Sequence, residues 1–452
     1  MNFCKTRTHN FFTCLTLFLA NFVRLSQSYA KKTQLEDTLH VNHFLNKIQQ
    51  WSSHQVTAST VIAGLLCFIA ASISRAGGIG GGGLFIPILT LVAGLELKTA
   101  TSFSAFMVTG GSTANVMYNI LVTSSRFGGK IVTDYDIALL SQPCMLLGVN
   151  IGVICNRVFP EWLVTTLFAV FLAWSTFKTC RNGFFHWKSE SESVNRCGVL
   201  RDESYDEISK GPLLNKEEIN NKVKFPRIKL GVLVMIWLSF FVLYLLRGNR
   251  YGQGIITIKP CGVGYWIISS LQIPVAIVFT TWILCRKECN QNKAPNHQER
   301  DIEDIISSGP SKKLIFPFMA LMAGIMGGLF GIGGGMLISP LLLHVGIPPE
   351  VTATTCSFMV FFSSTMSAFQ YLLLGMKDIY TALIFAIICF IGSLVGLLVI
   401  KRAIQKFGRA SLIVFSVSIV LTLSAILMTS FGALNVWRDY TSGKYMGFKL
   451  PC

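Results

Sequence analysis

Charge is what this sequence has least of. Asp, Glu, Lys and Arg make up 13% of its 452 residues, about half the share of an ordinary soluble domain. Acidic residues are the scarcer kind, 22 against 39 Lys plus Arg, for a formal net charge of +17. The 13 cysteines include no CxxC pair, so neither a zinc or iron–sulfur site nor a small disulfide scaffold is indicated. No Ser/His/Asp arrangement or metalloprotease motif is present. The glycines from Gly80 to Gly83 lack the following Lys-Ser/Thr of a phosphate loop. Neither an enzyme nor a cofactor is expected.

Apolar residues make up the difference, at 52%. They come in long charge-free runs, not in amphipathic stripes. Runs at 56–74, 137–156, 163–177, 230–246, 263–285, 351–376, 379–400 and 411–432 approach or exceed the roughly 20 residues that cross a bilayer. The run 99–125 is long enough to span with some tilt, and runs at 76–95 and 314–349 are interrupted by glycine clusters. These features predict an all-α polytopic membrane protein of about 10–12 hydrophobic segments. The lipid bilayer is its first partner.

Lys5 and Arg7 precede a short apolar stretch at 11–23, followed by small residues at Ser28 and Ala30. This is the pattern of a secretory signal peptide over 1–30; an uncleaved anchor is the alternative. With the mature N-terminus outside the cytosol, most of the 39 basic residues fall in the inner connections, as positive-inside sorting requires. The surplus of positive charge therefore orients the chain and does not mark nucleic-acid binding. The expected organisation is an extracytoplasmic segment at 31–54, a first membrane repeat at 55–180 and a cytosolic polar loop at 181–227. Intervening helices at 228–285, a cytosolic loop at 286–313, a second repeat at 314–432 and a tail at 433–452 follow. A multi-pass protein of the plasma membrane or a secretory-pathway membrane is the expected location.

The two repeats are read from self-similarity at a constant offset of 253 residues. Gly78-Ile79-Gly80-Gly81-Gly82-Gly83-Leu84-Phe85-Ile86-Pro87 matches Gly331-Ile332-Gly333-Gly334-Gly335-Met336-Leu337-Ile338-Ser339-Pro340. The same offset aligns Thr99-Ala100-Thr101 with Thr352-Ala353-Thr354, Ser104 with Ser357 and Tyr118 with Tyr371. Between 78 and 118, 14 of 41 positions are identical without a gap. The topology puts the first glycine segment facing inward and the second outward, so the repeats are expected to be inverted. Paired, glycine-interrupted segments in inverted repeats point to a transport site.

Glycine lets a backbone turn sharply and lets a ligand approach it closely. A half-helix starting at Leu84 or Met336 would aim free N–H groups and a positive dipole end at the glycine segment. Two such ends could hold an anion without an intramembrane Lys or Arg. The candidate ligands are therefore the backbones of Gly80, Gly81, Gly82, Gly83, Gly333, Gly334 and Gly335, with the hydroxyls of Thr101, Ser104, Thr354 and Ser357. Two alternatives stand beside this reading: glycines that only permit tight helix crossing, and hydroxyls that bond neighbouring helices. Asn115, Tyr118, Gln370 and Tyr371 fit interhelical bonding, and Asp134, Asp136 and Asp378 fit helix capping.

On these motifs the sequence resembles the TauE/SafE family of sulfite exporter-like membrane proteins. The carrying residues are 76–83 with Pro87, 328–335 with Pro340, both Thr-Ala-Thr segments, Tyr371 and Gly375. The resemblance covers about 56–432, and the long polar central loop is similar to the plant-type branch. It implies transport of a small anion, such as sulfite, a sulfonate or a related sulfur-containing organic anion, driven by a coupling ion, proton or sodium. A passive anion channel, or a non-transporting scaffold using its central loop, are the alternatives to that function.

Overall fold

The computed structural model describes residues 58–74, 81–125, 134–202, 227–247, 262–291, 310–344, 347, 349–376, 378–407, 411–443 and 447–448. The expected signal peptide, the 31–54 segment, Arg75, Gly80 and most of the central loop lie outside them. Among the described residues there is no strand. Twelve helices follow one another among the described residues: α1 (Ala58–Ser74), α2 (Gly82–Leu91), α3 (Leu97–Ser125), α4 (Tyr135–Val158), α5 (Glu161–Asp202), α6 (Arg227–Arg247), α7 (Val263–Gln291), α8 (Pro310–Phe330), α9 (Gly335–His344), α10 (Pro349–Leu373), α11 (Ile379–Phe407) and α12 (Ser411–Thr441).

Six of these helices contain stretches long and apolar enough to cross a membrane: Tyr135–Val158, Glu161–Arg181, Ile228–Arg247, Val263–Arg286, Val351–Leu373 and Ile379–Val399. The helical segregation in α11 shows why. Ala382, Phe385, Cys389 and Ser393 are buried, while Ile384, Ile387, Ile391 and Leu398 are exposed. One face is small and close-packed and the other is apolar yet exposed, which suits a helix with protein behind it and lipid in front. The chain is a multi-pass membrane protein.

The helices pack in an ordered exchange. Take α1–α5 as one set and α8–α12 as the other. Helix α2 packs on α12, and α9 on α5; α3 packs on α11, and α10 on α4; α3 and α10 face each other. Likewise α1 meets α11, where the Ser72 hydroxyl donates to the Gly392 carbonyl at 2.9 Å, and α8 meets α4. Swapping the two sets maps this pattern onto itself. Helices α6 and α7 stand outside it and lean on α4.

Small residues make these crossings close. A Cβ on Gly152 of α4 would lie 2.1 Å from the Ile325 carbonyl oxygen, and one on Gly324 of α8 2.1 Å from that of Met145. On α11, a Cβ at Gly396 would lie 2.0 Å from the Ser72 carbonyl. Gly148 and Gly152, and Gly392 and Gly396, are thus small-xxx-small pairs in corresponding helices.

Four boundaries depart from the sequence reading. Helices α2 and α9 begin at Gly82 and Gly335, not at Leu84 and Met336; glycine costs little in a first turn whose N–H groups are outside the ladder. Helix α5 runs on to Asp202, through residues expected to open a polar loop at 181. Polarity there does not oppose helix, because no Pro interrupts and Glu, Lys and Arg are good helix formers. Helix α12 continues to Thr441, past the expected tail boundary at 433.

Candidate functional site

Each set contains a short helix that follows a glycine break. Gly81 sits at the N-cap of α2 with φ 73°. The helical ladder begins with Leu84 and Phe85 N–H donating to the Gly81 carbonyl at 3.1 and 3.4 Å. The amides of Gly82 and Gly83 therefore precede the ladder. In the second set Gly331, Gly333 and Gly334 have φ of 63°, 72° and 71°, a left-handed run that only glycine takes without strain. There Ile332 N–H donates back to the Gly327 carbonyl at 3.1 Å, and Leu337 N–H to that of Gly334 at 3.2 Å. The amides of Gly335 and Met336 again lie ahead of their ladder.

The two breaks meet. A Cβ on Gly82 would lie 2.7 Å from Ile332 Cα, and one on Gly83 would lie 2.2 Å from Met336 Cε and 3.3 Å from the Ser424 hydroxyl. Gly333 is walled by Val108 of α3 and by Val360 and Ser364 of α10. Every residue from Gly81 to Leu89 and from Gly331 to Pro340 is buried, so the junction is enclosed.

Hydroxyls engage the carbonyls of the second break. Ser104 Oγ donates to the Gly331 carbonyl at 3.0 Å, and Ser363 Oγ to that of Gly333 at 2.7 Å. Ser112 and Ser364 hydroxyls stand 3.4 Å apart between α3 and α10. These bonds tie up carbonyl dipoles whose negative ends oppose an anion, while the leading amides keep their positive ends. Two helix N-termini, whose dipole ends are positive, thus meet among residues none of which is charged.

The other expected hydroxyls are used differently. Thr101 Oγ1 donates to the Lys98 carbonyl at 2.8 Å and accepts from Asn156 Nδ2 at 3.4 Å. Its own carbonyl lies where a Cβ on Gly331 would come within 2.1 Å. Thr354 Oγ1 donates to the Val351 carbonyl at 3.0 Å. Ser357 Oγ donates to the Ala353 carbonyl at 2.7 Å and accepts from Asn115 Nδ2 at 3.1 Å. The structure thus brings Ser104 to the described break directly and Thr101 through its backbone. Gly78, which corresponds to Gly331, lies outside the described residues.

Further polar side chains bond around the junction, most of them, Tyr371 excepted, without a repeat signature. Asn156 Nδ2 donates to the Leu329 carbonyl at 2.6 Å, and Tyr371 OH to the Gly328 carbonyl at 2.7 Å. Asn150 links Gln272 and Gln370 across three helices. Gln142 of α4 is fully buried, and neither its amide nitrogen nor its amide oxygen has a partner. One turn along the same helix, Met145 Cε lies 2.8 Å from where a Cβ on Gly334 would be. Leaving both amide groups unbonded costs about 1–3 kcal/mol each, a penalty that a polar occupant would remove. The sequence signal for Gln142 is its place in a charge-free span, where an uncharged amide is the costliest residue present.

Charges mark the two ends of this core. At one end Asp134 caps α4, its Oδ1 accepting from Asp136 and Ile137 N–H at 2.9 and 3.2 Å. Beside it Lys229 Nζ pairs with Asp136 at 2.7 Å. At the other end Arg157 Nη2 donates to the Leu374 carbonyl, and Lys98 Nζ to the Arg157 carbonyl at 3.0 Å. Among the described residues no three His, Cys, Asp or Glu side chains converge as a metal site.

Comparison with known proteins bears on this core. The family described as sulfite exporter TauE/SafE matches residues 10–179 and 226–428, leaving unmatched the central segment expected as a polar insertion. Sulfite exporter TauE/SafE family protein 2 of Arabidopsis thaliana is 62% identical over 88% of this chain and 88% of its own length. Family protein 5 of the same plant is 57% identical over 97% of this chain and all of its own length. Family protein 6 is 46% identical over 99% and 100%. No solved structure matches the chain.

Proposed function

The chain belongs to the sulfite exporter TauE/SafE family of membrane transporters, and from that premise we propose that it carries a small anion by alternating access. The cargo we assign is sulfite, a sulfonate or a related sulfur-containing organic anion, and the driving gradient is one of protons or sodium. The names of its relatives refer to sulfite export, and the chemistry of the junction suits an oxyanion.

The observation that carries this reading is the meeting of two helix starts, Gly82 against Ile332 and Gly83 against Met336. Unpaired amides at helix N-termini bind oxyanions without a cationic side chain. The backbones of Gly80 to Gly83 and Gly333 to Gly335 are the proposed anion ligands, with Thr101, Ser104, Thr354 and Ser357 supplying or positioning hydroxyls. Gln142, with its unbonded amide, joins them. The exchange pattern of helix packing, together with the 253-residue offset, supports two inverted repeats. Relative rocking of such repeats would open an enclosed junction to one side and then the other.

Proteoliposomes holding the purified protein test the proposal. Sulfite and sulfonate flux should saturate, and should accelerate with substrate on the opposite side. Imposed proton and sodium gradients identify the driving ion. Linear, non-saturating flux would instead mark a channel, and absence of flux for every anion tried would remove the transport reading.

A further inference from the structure

We propose that Arg247, at the end of α6, forms a second anion site at the mouth of the transport path, distinct from the glycine junction. This rests on the transport reading only for its purpose; the site itself rests on what surrounds the guanidinium.

Arg247 is only 3% exposed, and its Nε has no hydrogen-bond partner. An arginine at the end of a membrane span ordinarily extends its head into water. This one does the reverse, and burying an uncompensated cation costs several kcal/mol. Its neighbours are aromatic: the guanidinium carbon lies 4.6 Å from the ring centre of Tyr244 and 4.9 Å from that of Tyr265, the latter on α7. Cation–π contacts hold the group in place, but they contribute only about 0.5–2 kcal/mol. The guanidinium also donates to the Tyr244 hydroxyl, and it is Nε that is left for an acceptor.

No carboxylate among the described residues lies within 4.0 Å of this cation, whereas Lys229 has Asp136 at 2.7 Å. The chain that joins α6 to α7, residues 248–261, holds Arg250 and Lys259 but no Asp or Glu. The charged groups that act on Tyr244 are two cations. Tyr244 is within electrostatic reach of both Arg247 and Arg157, and Lys98 bonds the Arg157 carbonyl. The Tyr244 hydroxyl donates to the Gln370 carbonyl at 3.3 Å, and Gln370 and Gln272 each leave one buried amide atom unbonded nearby in this network.

A buried cation, an unused in-plane donor and no acid to answer it define a site for a small oxyanion. Sulfite and sulfonates present a pair of oxygens to which a guanidinium edge can donate. The Arg247 end lies with Arg157 and Leu374 at the pole of the core opposite to Asp136 and Lys229. An anion held there would be selected for charge and shape before it reaches the uncharged glycine junction.

The test is direct binding to the full chain purified in detergent, measured by calorimetry with sulfite and ethanesulfonate and with chloride as competitor. Arg247→Gln is expected to bind both oxyanions at least about tenfold more weakly, with Arg247→Lys intermediate because it keeps charge and loses the fork. Unchanged affinity in a folded Arg247→Gln protein overturns the site. Should that variant not fold, Tyr265→Leu, which removes one ring from the clamp, is expected to weaken binding several-fold; unchanged affinity there overturns it equally. Absence of saturable binding by the wild type also overturns it. Wild-type binding without flux would sink the transport reading and leave the site standing, whereas flux with an unaltered half-saturation constant in Arg247→Gln would do the opposite.

Discussion

The Ser104 hydroxyl donates to the carbonyl of Gly331 at 3.0 Å across 227 residues of chain. Both partners are buried, and Gly331 holds φ 63° while making that bond. Replacing Ser104 with Ala would leave a buried carbonyl without its donor, at a cost of about 1–3 kcal/mol. The expected outcome is a lower unfolding temperature in detergent, together with slower anion flux in vesicles. Wild-type values for both would show that the bond is dispensable.

Gly334 and Gly94 share a positive φ, 71° and 68°, but not a setting. A Cβ on Gly334 would meet the Ala323 carbonyl at 2.7 Å, while one on Gly94 meets nothing within 4 Å. Gly334→Val should abolish flux in protein that still reaches the membrane, and Gly81→Val should act alike, since Ser74 Oγ lies 2.5 Å from the added atom. Gly94→Asn should leave flux near normal, because Asn tolerates this conformation. Equal flux from Gly334→Val and Gly94→Asn would contradict the role given to the break.

Gln142→Leu separates stability from transport. Removing a fully buried amide whose two polar atoms are unbonded is expected to raise stability by roughly 1–3 kcal/mol. Flux is expected to fall at the same time, because the amide is assigned to the cargo. A variant that is both more stable and fully active would show that Gln142 contacts nothing during transport.

The α4–α8 crossing should be intolerant of volume. A Cβ on Gly152 comes 2.1 Å from the Ile325 carbonyl oxygen, so Gly152→Leu must push the helices apart, at a cost of about 1–3 kcal/mol or more. Gly231→Leu, with open space around it, is the matching control and should leave thermal stability unchanged.

Much of this molecule was legible because a bilayer writes long signatures. Charge-free runs mark α4, α6, α7, α10 and α11, and the Gly81–Gly83 and Gly333–Gly335 clusters mark the two breaks. The paired motif also led to Ser104, which does reach Gly331. Single residues were harder. Gln142 and Asn156 have no periodic partner, and their importance lies in what they do or do not bond, a three-dimensional property. Arg247 carried no sequence signal of its own; its burial between Tyr244 and Tyr265 is likewise a three-dimensional property. The helical course of α5 beyond 181 was not legible, because polar composition marks where the apolar span ends and not where the helix does.

That long helix has a mechanical consequence. At 1.5 Å per residue the 42 residues of α5 extend about 63 Å, roughly twice the hydrocarbon thickness. Its apolar part ends at Arg181, so about 30 Å of stiff rod extends beyond the span. Because α9 packs on α5, any rocking that opens the junction is geared to that rod. A tilt of about 5° at the membrane sweeps its far end through roughly 3 Å, so the rocking proposed above would make the helix a pointer whose position reports, in water, the state of the junction inside the lipid.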